Sequence, residues 1–153
     1  MIEKTCCFTG HRTLYENIKT IKCNLKKEIV NLVKKDVIYF GAGGALGFDT
    51  LAAQTVIELK QTYPQIKLIL ILPCKNQALN WLEEDIYHYE YLKSKADKIV
   101  ILSHKYYNGC MQARNRHMVN HSKYIICYKR KESGGTAYTV NYANKKGLTI
   151  IKI

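Results

Sequence analysis

The sequence predicts an α/β protein, a three-layer α/β/α sandwich around a mainly parallel sheet of about six strands. Three observations predict it. Strand-like and helix-like segments alternate along all 153 residues, the order that gives parallel sheets with right-handed crossovers. The run Lys67 to Leu72 is almost wholly apolar, as expected of a strand buried on both faces. Glycines concentrate in the segments that follow strands. The length suits one domain, expected over residues 1–153.

The elements follow in order. Thr5 to Phe8 is a short β-prone run. Ile18, Ile21, Leu25, Ile29 and Leu32 recur at three and four residues, the apolar stripe of a helix. Val37 to Phe40 is the second strand. A glycine-rich loop then leads to Asp49, an N-cap candidate, and a helix with Ala52, Val56 and Leu59 on one face. Pro64 closes that helix, and Lys67 to Leu72 ends at Pro73. A long helix is expected from about Gln77 to Lys95. Ile99 to Leu102 is strand four, Met111 to Asn120 a helix and Tyr124 to Tyr128 strand five. Thr136 to Lys145 is the last helix, with Gly147 as its C-cap signal. Leu148 to Ile153 is strand six.

Composition bounds the function. The chain is 47% apolar and 24% charged, a globular balance that excludes disorder. Lys and Arg total 24 against 12 Asp and Glu, giving +12. That charge points toward nucleic acid, but 20 of the 24 are lysines spread along the chain, which reads as solvated helix faces. No targeting segment is expected ahead of the first strand, and no apolar run is long enough to span a bilayer. A cytoplasmic protein without membrane contact is expected. The six cysteines form no Cys-x-x-Cys pair and read as reduced.

In a parallel sheet, ligands bind outside the carboxyl ends of the strands. Eight of the nine glycines and all four arginines lie in the loops at that edge or in the helices they open. The loop after strand one supplies Thr9, Gly10, His11 and Arg12. The loop after strand two supplies Gly43, Gly44, Gly47 and Asp49. Pro73 follows strand three. Tyr107, Arg114 and Asn115 follow strand four, and Ser133, Gly134, Gly135 and Thr136 follow strand five. Glycines admit positive φ and close ligand approach, helix starts present free N–H groups to anions, and Arg12 and Arg114 suit bidentate phosphate binding. These residues point to a phosphate-bearing small molecule.

Other chemistries fit less well. No Gly-x4-Gly-Lys-Ser/Thr is present, and Gly41, Gly43 and Gly47 miss the dinucleotide fingerprint by one residue and follow strand two. His117 and His121 are spaced i, i+4 but have no third ligand, so neither metal nor cofactor is expected. Trp81, Tyr87, Tyr89 and Tyr91 load the third helix with aromatics and mark a candidate homo-oligomer surface.

Four segments carry a resemblance: Phe8-Thr9-Gly10-His11-Arg12, Gly43 to Asp49, Met111 to Met118, and Ser133-Gly134-Gly135-Thr136. Together they resemble the SLOG superfamily, which includes the LOG (lysine-decarboxylase-like) enzymes, DNA-processing A proteins and nucleotide sensors, and most of all its small YpsA-like branch. The resemblance implies a Rossmann-like fold that binds nucleotides or their derivatives. LOG enzymes cleave nucleoside monophosphates with an Arg, matched by Arg114, and a Glu three residues after a Pro-Gly-Gly-x-Gly-Thr threonine. Here that position is Thr139, which cannot act as the acid/base of glycosidic cleavage. The expected function is therefore a non-catalytic sensor or sink for a nucleotide-derived signal, ADP-ribose-like or cyclic. A phosphoribohydrolase-like nucleosidase and a DNA-associated protein stand as alternatives.

Overall fold

The computed structural model describes residues 1–153. After a 3₁₀ turn (Ile2–Lys4), the chain runs β1 (Thr5–Gly10), α1 (Ile18–Val33), β2 (Tyr39–Ala42), α2 (Phe48–Leu59), β3 (Lys67–Leu72), α3 (Glu83–Lys95), β4 (Lys98–Ile101), α4 (Cys110–Asn120), β5 (Tyr124–Tyr128), α5 (Gly135–Lys145) and β6 (Thr149–Lys152). The six strands form one sheet in the order β4-β3-β2-β1-β5-β6, and every pairing is parallel. This is the expected Rossmann-like sandwich. The chain steps outward from β1 to β4, then returns to lay β5 on the other side of β1. The strand order therefore reverses between β1 and β5, where Thr9 pairs with Cys127 and Gly10 with Tyr128.

Each face of the sheet has its own core. A cluster of 24 buried residues, including Phe8, Phe40, Leu68 and Leu70, packs under α1, α2 and α3. Six others, including Cys7, Ile125, Met118 and Ala143, pack under α4 and α5. Each fully buried large side chain contributes about 1.5–3 kcal/mol, so the first face carries most of the burial. The stripe Ile21, Leu25, Ile29 and Leu32 is buried as its spacing requires, whereas Ile18 is 56% exposed. All six cysteines are free thiols.

The largest departure is α3, which starts at Glu83 rather than near Gln77. Residues 75–80 are turns, with i→i−3 bonds from Leu79 N–H to Asn76 O (3.2 Å) and from Trp81 N–H to Ala78 O (3.1 Å). Gln77 turns its amide inward to Tyr89 Oη (3.2 Å). The true start carries a signal of its own: Glu83, Glu84 and Asp85 fill the first turn and Lys93 and Lys95 the last, matching the helix dipole. The aromatic load divides. Tyr89 is buried and Tyr87 is 71% exposed. At β1 and β2, hydrogen-bonded pairing runs through Gly10 and Gly41, so both strands end later than side-chain preference indicates. Gly147 behaves as expected. With φ +80° it lets its own N–H reach Asn144 O and the Leu148 N–H reach Ala143 O, the Schellman pair.

Candidate functional site

The loops at the reversal point are locked together by close packing. A Cβ on Gly10 would overlap the Phe48 ring, and that ring stacks on Tyr128 (5.5 Å, 11°). Phe48 N–H donates to His11 O (3.0 Å). These contacts seat the start of α2 on the end of β1. Gly47 is its N-cap, while Asp49 stands inside the first turn. The expected capping role of Asp49 is therefore not the one it has.

Asp49 instead faces inward. It is 6% exposed, and its Oδ2 accepts a long bond from Ala45 N–H (3.4 Å). Burial pushes its carboxyl above the ordinary range, with the Arg114 charge pulling the other way. Arg114 is also buried, at 4% exposed. Its Nη1 donates to Gly43 O, its Nε to Asn115 Oδ1 (2.8 Å), and its Nη2 faces Met111 Sδ (3.8 Å). A Cβ on Gly43 would overlap this guanidinium and lie 2.8 Å from Asp49 Oδ2. Arg114 is thus first a strut under the β2–α2 loop, with most of its donor capacity taken up by the protein.

On the β5 side the packing is open. Gly134 has φ +97°, and neither Gly134 nor Gly135 has an atom within 4 Å of where a Cβ would lie. These two leave free space at the start of α5, whereas Gly10, Gly43 and Gly47 are filled by neighbours.

His11 joins the two sides. Arg130 N–H donates to His11 Nε2 (2.8 Å). A backbone amide only donates, so Nε2 is unprotonated and the neutral ring carries its proton on Nδ1, 3.4 Å from Thr136 Oγ1. Burial, then the charges of Lys131 and Arg130, hold the imidazolium below its ordinary value of 6.5. Nitrogen-detected NMR is expected to show the Nδ1–H tautomer titrating below 6.5. A folded pKa below the unfolded one removes stability as pH falls from 6.5 through the folded value, so this bond weakens on acidification. Titration at or above 6.5 would contradict the assignment.

These groups line one cleft of about 440 Å³ at the β1/β5 reversal. Of the residues the sequence singles out, Thr9, Gly10, His11, Arg12, Asp49, Arg114, Asn115, Ser133, Gly134, Gly135 and Thr136 meet there. Gly43, Gly44, Gly47, Pro73 and Tyr107 do not. Gly43 backs Arg114, Gly44 packs on Leu72 and Tyr89, Gly47 borders a separate hollow beside Trp81, Pro73 is buried and Tyr107 is 48% exposed outside the cleft. Ala45, Met111 and Lys131 also line it. The charge of Lys131 in the loop after β5 was a usable signal for it, but Ala45 and Met111 carried none.

The arginines part company. Arg12 is exposed and makes no hydrogen bond or ion pair through its side chain. Arg130 forms a fork on Glu16 (2.8 and 3.2 Å) over the Tyr128 ring, and Arg116 donates to Tyr138 Oη (3.1 Å). Thr139, at the position of the LOG glutamate, is 1% exposed and donates to Gly135 O within its own helix (2.9 Å). No group of three or more metal-ligating side chains occurs, and no helix is long and apolar enough to cross a membrane.

A parallel sheet whose strand-end loops converge at one order reversal defines a Rossmann-like α/β protein. The YpsA model, described as the YspA SLOG family, matches residues 6–150, and the chain belongs to that family. A UPF0398 protein of Brevibacillus brevis is 31% identical over 129 residues, covering 82% of this chain and 69% of its own. Among solved structures, DNA processing protein A of Helicobacter pylori, described for its single-stranded DNA binding mode, superposes with TM-score 0.67 at 19% identity. The match covers 99% of this chain and 65% of that one. The Streptococcus pneumoniae protein gives TM-score 0.71 at 16% identity, covering 99% and 50%. This chain therefore spans one half to two thirds of those proteins, and the likeness is one of fold.

Proposed function

We propose that this chain binds a nucleotide-derived, phosphate-bearing small molecule in the β1/β5 cleft and acts as a sensor or sequestering protein for it, without turning it over. The observation that carries this reading is the open start of α5. Gly134 and Gly135 leave open space where a Cβ would lie, and with Thr136 they form the first turn of α5 in the cleft wall, beside the free cation Arg12 and Lys131. Helix N-termini with adjacent cations bind phosphate. The absence of a carboxylate at Thr139 favours binding over hydrolysis.

A thermal-shift series with nucleoside monophosphates, ADP-ribose and cyclic dinucleotides tests it. At a hundredfold excess over Kd a ligand adds about 2.7 kcal/mol, a rise of roughly 5–10 °C for a chain this size. Gly135→Ala is expected to keep or slightly raise the stability of the free protein, since alanine is the better helix former, while cutting the ligand shift by more than half. Release of free base from the monophosphates would move the reading to a nucleosidase. Affinity for DNA that survives physiological salt would move it to the DNA-associated class, in line with the single-stranded DNA binding described for the Helicobacter pylori protein.

A further inference from the structure

We propose that the cleft recognises the phosphorylated sugar of its ligand and leaves the nucleobase unread. The inference rests on the binding reading above and narrows it. Its ground is what the cleft wall contains. Only Ala45 and Met111 are apolar, and no Phe, Tyr or Trp contributes. Bases are held chiefly by stacking on aromatic rings or guanidinium planes; the cleft offers no Phe, Tyr or Trp, and its one free guanidinium, Arg12, stands beside the α5 start where it serves the anion. The loop after β4 does carry aromatics, but Tyr106 and Tyr107 are 59% and 48% exposed and lie outside the cleft. The one ring within it, His11, is edge-packed against Tyr15 and Tyr128 and anchored through Nε2 by Arg130 N–H.

The polar groups fit a phosphorylated polyol. Thr9 is 5% exposed and its hydroxyl has no protein partner, and Asp49 is 6% exposed with one long bond from Ala45. Both are buried, line the cleft and have unused hydrogen-bonding capacity. A carboxylate accepts and repels anions, so Asp49 does not serve a phosphate. It calls for hydroxyl donors on the ligand. The α5 start, Arg12 and Lys131 serve the anion. A molecule satisfying both sets has a phosphate and neighbouring hydroxyls on one small frame, the pattern of a pentose phosphate.

Calorimetry on the wild-type protein with ribose 5-phosphate, AMP, GMP, CMP, UMP, 2′,3′-dideoxy-AMP and adenosine decides the matter without relying on a variant that must fold. Ribose 5-phosphate and the four ribonucleotides are expected within about threefold of one another. Dideoxy-AMP is expected at least tenfold weaker than AMP, and adenosine without measurable binding. A spread above tenfold among the four bases, dideoxy-AMP equal to AMP, or binding of adenosine overturns this inference and leaves phosphate binding standing. Failure of every phosphorylated compound overturns this inference, and if ADP-ribose and the cyclic dinucleotides of the thermal-shift series fail as well, the binding reading falls with it.

Discussion

Gly47→Ala is expected to be the most damaging single-methyl change in the protein. Gly47 has φ +82°, and a Cβ there would overlap the Arg12 carbonyl and lie 2.6 Å from Arg12 Cα. Two penalties combine. The left-handed backbone is strained for any residue with a side chain, at about 1–3 kcal/mol, and overpacking against neighbours adds about 1–3 kcal/mol. The obstructing atoms are main chain, so no rotamer change relieves them. A loss of roughly 3–5 kcal/mol is expected, a large part of the usual 5–15 kcal/mol of a domain. Urea denaturation followed by circular dichroism measures it. A variant within about 1 kcal/mol of wild type would mean that the β1 and β2–α2 loops are not locked as described. The change should also abolish ligand shifts, because Phe48, which follows Gly47, holds the start of α2 on β1 through its bond to His11 O (3.0 Å). Gly135→Ala supplies the contrast, a glycine at the same edge whose Cβ would meet nothing within 4 Å.

That contrast also shows what was legible in the sequence. The alternation of segments and the apolar run of β3 were enough for the parallel sandwich, because each follows from one-dimensional periodicity. The gathering of glycines marked the right edge of the sheet. What the pattern did not separate was glycine required by a neighbour from glycine that leaves room for a ligand. Gly43 and Gly134 look alike in sequence. One is pressed by Arg114, 71 residues away, and the other opens on space. The arginines were read the same way and divide for the same reason. Whether a guanidinium is free depends on which long-range acceptor reaches it. Arg12 has none, Arg130 has Glu16 and Arg114 has Gly43 O. The start of α3 was misplaced because apolar spacing continues through Leu79 and Leu82, which are 70% and 75% exposed. The acidic triplet that opens the helix was the better marker.

Arg114→Ala follows from that division, and the expectation differs from that of a surface phosphate contact. Removing the side chain leaves the buried Gly43 carbonyl without its donor and Asp49 without the cation that offsets its burial. Breaking one member of a buried charged set costs about 3–5 kcal/mol, so a loss near 3 kcal/mol is expected. Arg114→Lys restores little, since a point charge replaces a fork that serves Gly43 O and Asn115 Oδ1 at once. A surface contact would behave otherwise, losing affinity with stability nearly unchanged. Two further measurements separate the cases. The pair Arg114→Met with Asp49→Asn is expected to be less destabilised than the sum of the single changes, because the second removes the carboxylate that the first leaves unpaired. Acidity gives the other. Without Arg114, the Asp49 carboxyl rises further above its unfolded value, so the native state binds an extra proton, and stability falls as pH rises through that window. Stability relative to wild type should therefore recover as pH is lowered from neutrality toward the ordinary carboxyl value of 3.8, the His11 contribution cancelling in the comparison. A penalty that is flat across that range would mean that Asp49 and Arg114 are not coupled and that the strut rests on Gly43 alone.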